Sequence, residues 1–295
     1  MFKGVDFWPH DKIFPIMQVR RSFVIASIVV FCLAVGLLAT RGLNFGIDFK
    51  GGSLFEIQSK SGPVDIGELR AKLGGLGLGS VQIQQLDDPT DALIRFEQQK
   101  PKEGESSEKA QQNAAAKVQD ALGDDIEIRR TEVVGPAVSG ELAWAGVTAV
   151  MFAMVGILLY IWFRFEWQFA IAAIVALVHD ITMTLGVFSI LRLDFGLSEV
   201  AALLTLAGYS INDTVVVFDR VREMLRRFKK MAITDLLNLA LNLTLSRTLL
   251  TSVTTLLALI ALYVFGGEVI RGFTSGLIWG VLIGTYSSIA LAVPL

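Results

Sequence analysis

Three places in this sequence carry ionisable side chains where an apolar setting makes them costly. Asp213 interrupts the apolar run Val200–Phe218, and Arg247 stands at the threshold of the next run, Thr248–Gly267. His179 and Asp180 lie together near the middle of a third run, Trp167–Leu191. Inside a membrane such groups mark ion or proton paths, or pair with one another to align helices. The runs bearing Asp213 and Arg247 are consecutive and therefore antiparallel, so the two groups can meet at similar depth, the arginine reaching inward on its long stem. Burial favours a neutral carboxyl, whereas a nearby guanidinium favours the carboxylate. A guanidinium that moves by a few ångströms would switch such a carboxyl between holding and releasing a proton. One that stays in place would be a structural ion pair. The residues alone leave both open.

His179 and Asp180 raise the same choice. Adjacent helical residues point about 100° apart, so the two do not face one partner equally. Either joins a proton path with Asp213, or Asp180 pairs with a polar neighbour. Asn212 and the hydroxyls of Thr248, Thr251, Ser252, Thr254 and Thr255 add polar groups. These either hydrate a path or hydrogen-bond between helices.

Other chemistry is thinly represented. The one cysteine, Cys32, sits in an apolar run, so no disulfide framework is expected. Two histidines and one cysteine are too few ligands for a zinc site. Gly74-Gly75-Leu76-Gly77-Leu78-Gly79 is glycine-rich, but it precedes a strand pattern and lacks the G-K-[ST] ending of a phosphate loop. It reads as a connection. No nucleophile elbow or ATPase motif is present, so neither an enzyme nor a cofactor is expected, and no basic domain suggests nucleic acid.

The elements that position these groups are membrane spans. Hydrophobic residues make up 53% of the chain and charged residues only 18%, against roughly a quarter charged in soluble proteins. Half of the charged residues fall between Gly42 and Pro136, which predicts one soluble domain within a membrane protein. About 20 apolar residues cross the hydrocarbon core. Six runs qualify: 22–40, 142–163, 167–191, 200–218, 248–267 and 272–295. The first is too long for the apolar core of a cleaved signal peptide and lacks an A-x-A site, so a retained anchor is expected. The last reaches Leu295, so a polar tail is expected beyond it.

Basic residues in short loops set the orientation. Lys3, Lys12, Arg20, Arg21, Arg164, Arg220, Arg222, Arg226, Arg227, Lys229 and Lys230 oppose only Arg192 and Arg271. Both termini, including residues 1–21, are thus expected in the cytoplasm, and the 42–136 domain outside it. Val217, Val221, Met224, Phe228 and Met231 recur every three or four residues among the basic ones. That predicts an amphipathic helix in a cytoplasmic loop, 219–246, lying on an anionic leaflet. Thr234-Asp235 is expected to cap a following helix. In the last span Gly276, Gly280 and Gly284, then Ser288 and Ala292, lie four apart and offer a face for close helix packing.

Within 42–136 the pattern reads strand (53–59), helix (from Pro63 or Asp65 to Gly74-Gly75), strand (81–86), strand (92–98), helix (103–122) and strand (from Ile126). This βαββαβ order predicts a ferredoxin-like α+β domain.

The segment Phe45-Gly46-Ile47-Asp48-Phe49-Lys50-Gly51-Gly52 resembles the signature of the SecD/SecF protein-export family, its Gly46, Asp48, Gly51 and Gly52 included. On its own it also reads as a glycine turn leaving the membrane. Gly208-Tyr209-Ser210-Ile211-Asn212-Asp213-Thr214-Val215-Val216-Val217-Phe218-Asp219-Arg220 and Leu245-Ser246-Arg247-Thr248 are similar to SecF-type members, and the six-span layout matches over the whole chain. The resemblance implies half of an RND-like assembly in the bacterial inner membrane, paired with SecD beside the SecYEG channel. Such pairs use the proton gradient rather than ATP to draw preproteins outward. The family's transmembrane aspartate and arginine fall on Asp213 and Arg247, and His179-Asp180 is similar to a family feature of less certain role. The alternatives are half of a proton-driven small-molecule exporter and a purely structural translocon-assembly subunit. One domain and six spans make at best half of such an exporter.

Overall fold

The computed structural model describes residues 13–79, 81–101, 104–267 and 270–295. Lys3, Lys12 and Glu103 lie outside the described residues. In chain order a 3₁₀ turn (Ile16–Val19) leads into α1 (Arg20–Arg41), β1 (Asn44–Phe45), α2 (Ile47–Lys50), β2 (Gly52–Ser59), α3 (Ile66–Gly74), β3 (Val81–Gln85) and β4 (Asp91–Phe96). Then come α4 (Ser107–Leu122), β5 (Ile126–Val134), α5 (Pro136–Arg164), α6 (Trp167–Leu191), β6 (Asp194–Phe195), α7 (Leu197–Arg227), α8 (Ile233–Phe265) and α9 (Arg271–Ala290). These divide into a helical unit (1–44, 149–193, 198–295) and an α+β unit (45–148, 194–197).

In the α+β unit four antiparallel strands lie in the order β3-β4-β2-β5. Strand side chains alternate between faces, and the register pairs Phe55 with Ile94 and Ile57 with Ala92. That row faces Leu69 and Leu73 of α3 and Ala114, Val118 and Leu122 of α4. Phe55 and Phe96 stack with ring centres 6.0 Å apart, and burying each such side chain contributes about 1.5–3 kcal/mol. Asp65 caps α3 by accepting from the Gly67 and Glu68 amides, and Ser106 caps α4 by accepting from the Lys109 amide. Each cap supplies a partner for N–H groups that a first helical turn leaves unpaired. Gln111, fully buried, accepts from the Gln99 amide and donates to Ser53 Oγ. Its polar ends are therefore satisfied inside the core.

Six segments, α5, α6, α7, α8, α9 and that of α1, are each long and apolar enough to cross a membrane. Their burial differs. Of the span windows, 56% of α6 and α9 and 44% of α7 are buried, against 11% of α1 and α8 and 6% of α5. So α6, α7 and α9 form the interior. Glycine lets α9 enter it. A methyl at Gly276 would touch Phe188 and Ala202, one at Gly284 would touch Ser210, and one at Gly280 would lie 2.6 Å from Leu206. The predicted glycine face is thus an internal packing surface.

Three expectations are revised. The helices expected within 219–246 are continuous with the spans, since α7 runs on to Arg227 and α8 begins at Ile233. Val217, Val221 and Met224 are buried with Ile161, Phe165 and Leu236 rather than laid on a leaflet. Their helical spacing is as read, but the apolar partner is protein. The cap of α8 is Ala232, with no side-chain bond, instead of Thr234 or Asp235.

Candidate functional site

Four consecutive residues of α9, Thr285 to Ser288, reach four different neighbours. Ser288 Oγ donates to Asp213 Oδ2 at 2.6 Å, and Ser287 Oγ donates to Asp180 Oδ2 at 2.6 Å. Thr285 Oγ1 meets Ser252 Oγ at 2.6 Å, and the Tyr286 hydroxyl meets Ser27 Oγ at 2.8 Å. Two acids on two helices are thus gathered by adjacent serines.

Asp213, on α7, is buried and completes its shell with Thr248 Oγ1, which donates to Oδ1 at 2.7 Å. Asp180, on α6, has no exposed surface. Its Oδ2 also accepts from Ser210 Oγ at 2.6 Å, and its Oδ1 lies 3.0 Å from His179 Nδ1. The imidazole stacks near Phe31 and Tyr286, each ring centre 6.4 Å away. Distances of 2.6–2.7 Å fit charge-assisted bonds to a carboxylate. A hydroxyl also accepts, so the same shell serves a protonated acid once the hydroxyl turns. That versatility is what a proton-binding carboxyl needs.

Arg247 is exposed, and among the described residues no ion pair joins it to Asp213. Its neighbour Thr248 makes the contact instead. Asn212 is also exposed, one residue before Asp213. Of the other hydroxyls, Ser252 links α8 to Tyr209 and Thr285, whereas Thr251 and Thr254 bond carbonyls of their own helix. Ser210 entered the sequence reading only within a family motif, and Thr285, Tyr286 and Ser287 escaped it. The run Thr285-Tyr286-Ser287-Ser288 in an apolar span was their signal.

The glycine-rich segment after α1 has its own geometry, within the α+β unit. Phe45, Phe49 and Phe195 cluster with ring centres 5.9–6.2 Å apart. The Gly46 amide donates to the Phe195 carbonyl, and Ile47–Lys50 forms one helical turn. Gly51 ends it at φ +71°, and Gly52 follows at φ +131° with no room for a Cβ beside the Phe96 carbonyl. Asp48 Oδ2 accepts from the Leu197 amide at 2.9 Å, so a carboxylate meets the N-terminus of α7, where the helix dipole favours it. Asp194, two residues on from Arg192 in the same connection, takes a two-pronged ion pair from Arg95 at 2.8 and 2.6 Å. Hydrogen bonding to Asp194 pushes the Arg95 guanidinium's pKa further up.

Comparison with known proteins gives the family. Residues 114–295 match the model of the protein-export membrane protein SecD/SecF C-terminal region, and residues 36–62 match the SecD/SecF GG motif. The protein translocase subunit SecF of Rhodobacter capsulatus is 49% identical over 277 residues, covering 90% of this chain and 83% of the relative. The SecF of Rickettsia bellii is 42% identical, covering 97% and 93%. The crystal structure of SecDF from Thermus thermophilus superposes with a TM-score of 0.85 at 34% identity, over 98% of this chain, which spans 39% of that longer one. By sequence and by fold, the chain belongs to the SecD/SecF family of protein-export membrane proteins.

Proposed function

We propose that this chain is the SecF-type half of a proton-driven protein-export assembly in the bacterial inner membrane, paired with a SecD-type partner beside the SecYEG channel. Relatives named SecF support the type of half. A SecDF protein of Brucella abortus, of which this chain covers 36% at 40% identity, supports the pairing, since there both names describe one polypeptide. In this reading both termini are cytoplasmic. The α+β unit, whose strand order is that of a ferredoxin-like sandwich, faces outward as a base for extended polypeptide in late translocation.

The observation that carries the reading is Asp213: a carboxyl buried among membrane spans and surrounded by hydroxyls. A charge at that depth is costly, and a scaffold gains nothing from keeping it. One charge crossing 100 mV is worth about 2.3 kcal/mol, so a few protons per stroke suffice to drive a domain rearrangement. Arg247 stands beside Thr248, and its movement would bias the proton on Asp213. The exporter reading asks for a second large domain. The scaffold reading leaves Asp213 only the pairing of helices, which an uncharged side chain does at lower cost.

The test uses inverted membrane vesicles containing the chain and its SecD-type partner. Asp213→Asn keeps the shape but cannot take up a proton, so it abolishes proton-gradient-dependent late translocation while insertion and partner binding persist. Arg247→Met impairs the same step. Translocation supported by ATP alone continues in both. Wild-type gradient dependence in Asp213→Asn vesicles would make Asp213 a structural helix-pairing residue.

A further inference from the structure

The buried pair His179–Asp180 is not used by the mechanism above, yet it is better enclosed than Asp213. We infer that this pair is a second proton-holding site, positioned to bias Asp213 through the adjacent serines Ser287 and Ser288. The inference rests on the proton-driven reading of Asp213.

Each of these serines has two acceptors within reach. Ser287 Oγ lies 2.6 Å from Asp180 Oδ2 and 3.1 Å from the Gly284 carbonyl. Ser288 Oγ lies 2.6 Å from Asp213 Oδ2 and 3.1 Å from the Thr285 carbonyl. When an acid is ionised, its serine donates to it. When the acid takes a proton, the new O–H donates to the serine oxygen and the serine's own proton turns to the carbonyl. A rotation about one bond answers a protonation, with no shift of the backbone.

The two responses are linked. Ser287 and Ser288 share a peptide bond, and their alternative acceptors, Gly284 and Thr285, are also consecutive in α9. On α7, Ser210 bonds Asp180 from one turn before Asp213, so Asp213 and a donor to Asp180 lie on one face of that helix. Ionising two carboxyls in one low-dielectric cluster costs more than ionising one. Release of a proton at Asp213 therefore favours retention at the pair.

The pair itself is neutral with a single proton, whether His179 Nδ1 or Asp180 Oδ1 holds it. The groups facing it are few in kind. From α9 comes Tyr286, whose hydroxyl is held by Ser27. From α7 come Ser210 and, a turn on, Asp213. From α1 comes the uncharged ring of Phe31. Asp180 and His179 act here as positioning residues, through Asp213.

The experiment measures gradient-dependent late translocation against pH, each profile normalised to its own maximum, in vesicles holding the full chain with its partner. Ser287→Ala, His179→Gln and Asp213→Asn are compared with the wild type, and partner co-purification reports assembly. Ser287→Ala and His179→Gln are expected to move the midpoint by on the order of half to one pH unit, as loss of a hydrogen bond or charge partner does. Should His179→Gln fail to accumulate, Ser287→Ala decides, since it removes one oxygen and leaves both acids. An unmoved midpoint in an assembled Ser287→Ala protein, with Asp213→Asn inactive, overturns the inference and leaves a structural pair. Gradient dependence surviving in Asp213→Asn overturns the proton-driven reading as well.

Discussion

Asp194, Asp91 and Glu132 in the α+β unit meet guanidiniums, whereas Asp180 and Asp213 inside the helical unit meet hydroxyls. Asp194 is gripped by Arg95, Asp91 by Arg129 at 2.9 Å, and Glu132 by Arg130. Asp180 and Asp213 instead accept from serines and a threonine. Ion pairs such as Arg164–Asp219 and Arg220–Glu223 also occur in the helical unit, and the side chains of these two are substantially exposed. The difference follows from what each partner tolerates. An always-charged guanidinium favours only the ionised acid, which suits a group whose task is to hold a shape. A hydroxyl donates to an ionised acid and accepts from a neutral one. Where the proton is to come and go, the shell must serve both states.

The largest expected effect comes from pushing α9 out of reach. The hydroxyl shell exists only because Gly280 lets α9 approach Leu206, which is fully buried and has nowhere to move. Gly280→Leu overpacks that contact, and overpacking costs about 1–3 kcal/mol. The expected outcome is a lower melting temperature of the purified membrane protein, weaker partner co-purification, and loss of gradient-dependent translocation. Gly280→Ala should lie between it and the wild type. Unchanged melting and co-purification would mean that the interior repacks and that close approach of α9 is dispensable.

A moderate effect is expected from removing a guanidinium in the α+β unit. Arg95→Met keeps most of the apolar stem and deletes both bonds to Asp194. Hydrogen bonds involving a charged group contribute about 1.5–3 kcal/mol each, and the 40% exposure of the Asp194 side chain lets water recover part of that. The expected loss is about 1–2 kcal/mol, read as faster amide exchange confined to β4 and residues 194–197. A change spread through α6, α7 and α9 instead would break the comparison, since it would make the ion pair a support of the hydroxyl shell.

The sequence disclosed what is expensive and concealed what is ordinary. Asp180, Asp213, Arg247 and the six spans stood out because hydrocarbon penalises charge and rewards apolar runs. Strand alternation similarly exposed β2, β3, β4 and β5 within a residue or two. Helix ends were misjudged where the backbone stays helical past the last apolar residue: α7 runs nine residues beyond Phe218, and α8 begins fifteen before Thr248. Ser210 and Ser287 were invisible one at a time, because a serine in a membrane helix satisfies itself on its own carbonyls at little cost. Only the fold gives them an acid. Asp48 was noticed as part of a signature, but its partner, the Leu197 amide, lies 149 residues away and leaves no local trace.

The smallest expected effect concerns Asp88, a carboxylate of the α+β unit whose partners are not guanidiniums. In the Asp88-Pro89-Thr90 turn, the Thr90 amide and hydroxyl donate to Asp88 Oδ1 at 2.9 and 2.8 Å. The Thr90 amide, then its hydroxyl, hold this carboxyl's pKa below the ordinary value, with Arg129 adding to them. This is a hydroxyl shell in water, where the acid stays ionised at neutral pH and the shell has no second state to serve. A folded-state pKa below the unfolded one means that the unfolded chain binds the proton more readily. The stabilisation is therefore complete above the unfolded value of about 3.9 and is lost as pH falls through the lower folded value. Asp88→Asn removes the titrating group but keeps an oxygen acceptor. Acid unfolding of a soluble 42–136 fragment, which at this length is expected to melt cooperatively, should be less steep below pH 4 in the variant, which is slightly less stable than the wild type at pH 7 and converges with it in acid. A loss at pH 7 as large as that of Arg95→Met would show that the turn needs the charge itself. Hydroxyl partners would then hold a fixed carboxylate as firmly as guanidiniums do, and the contrast between the two units would rest on their solvent alone.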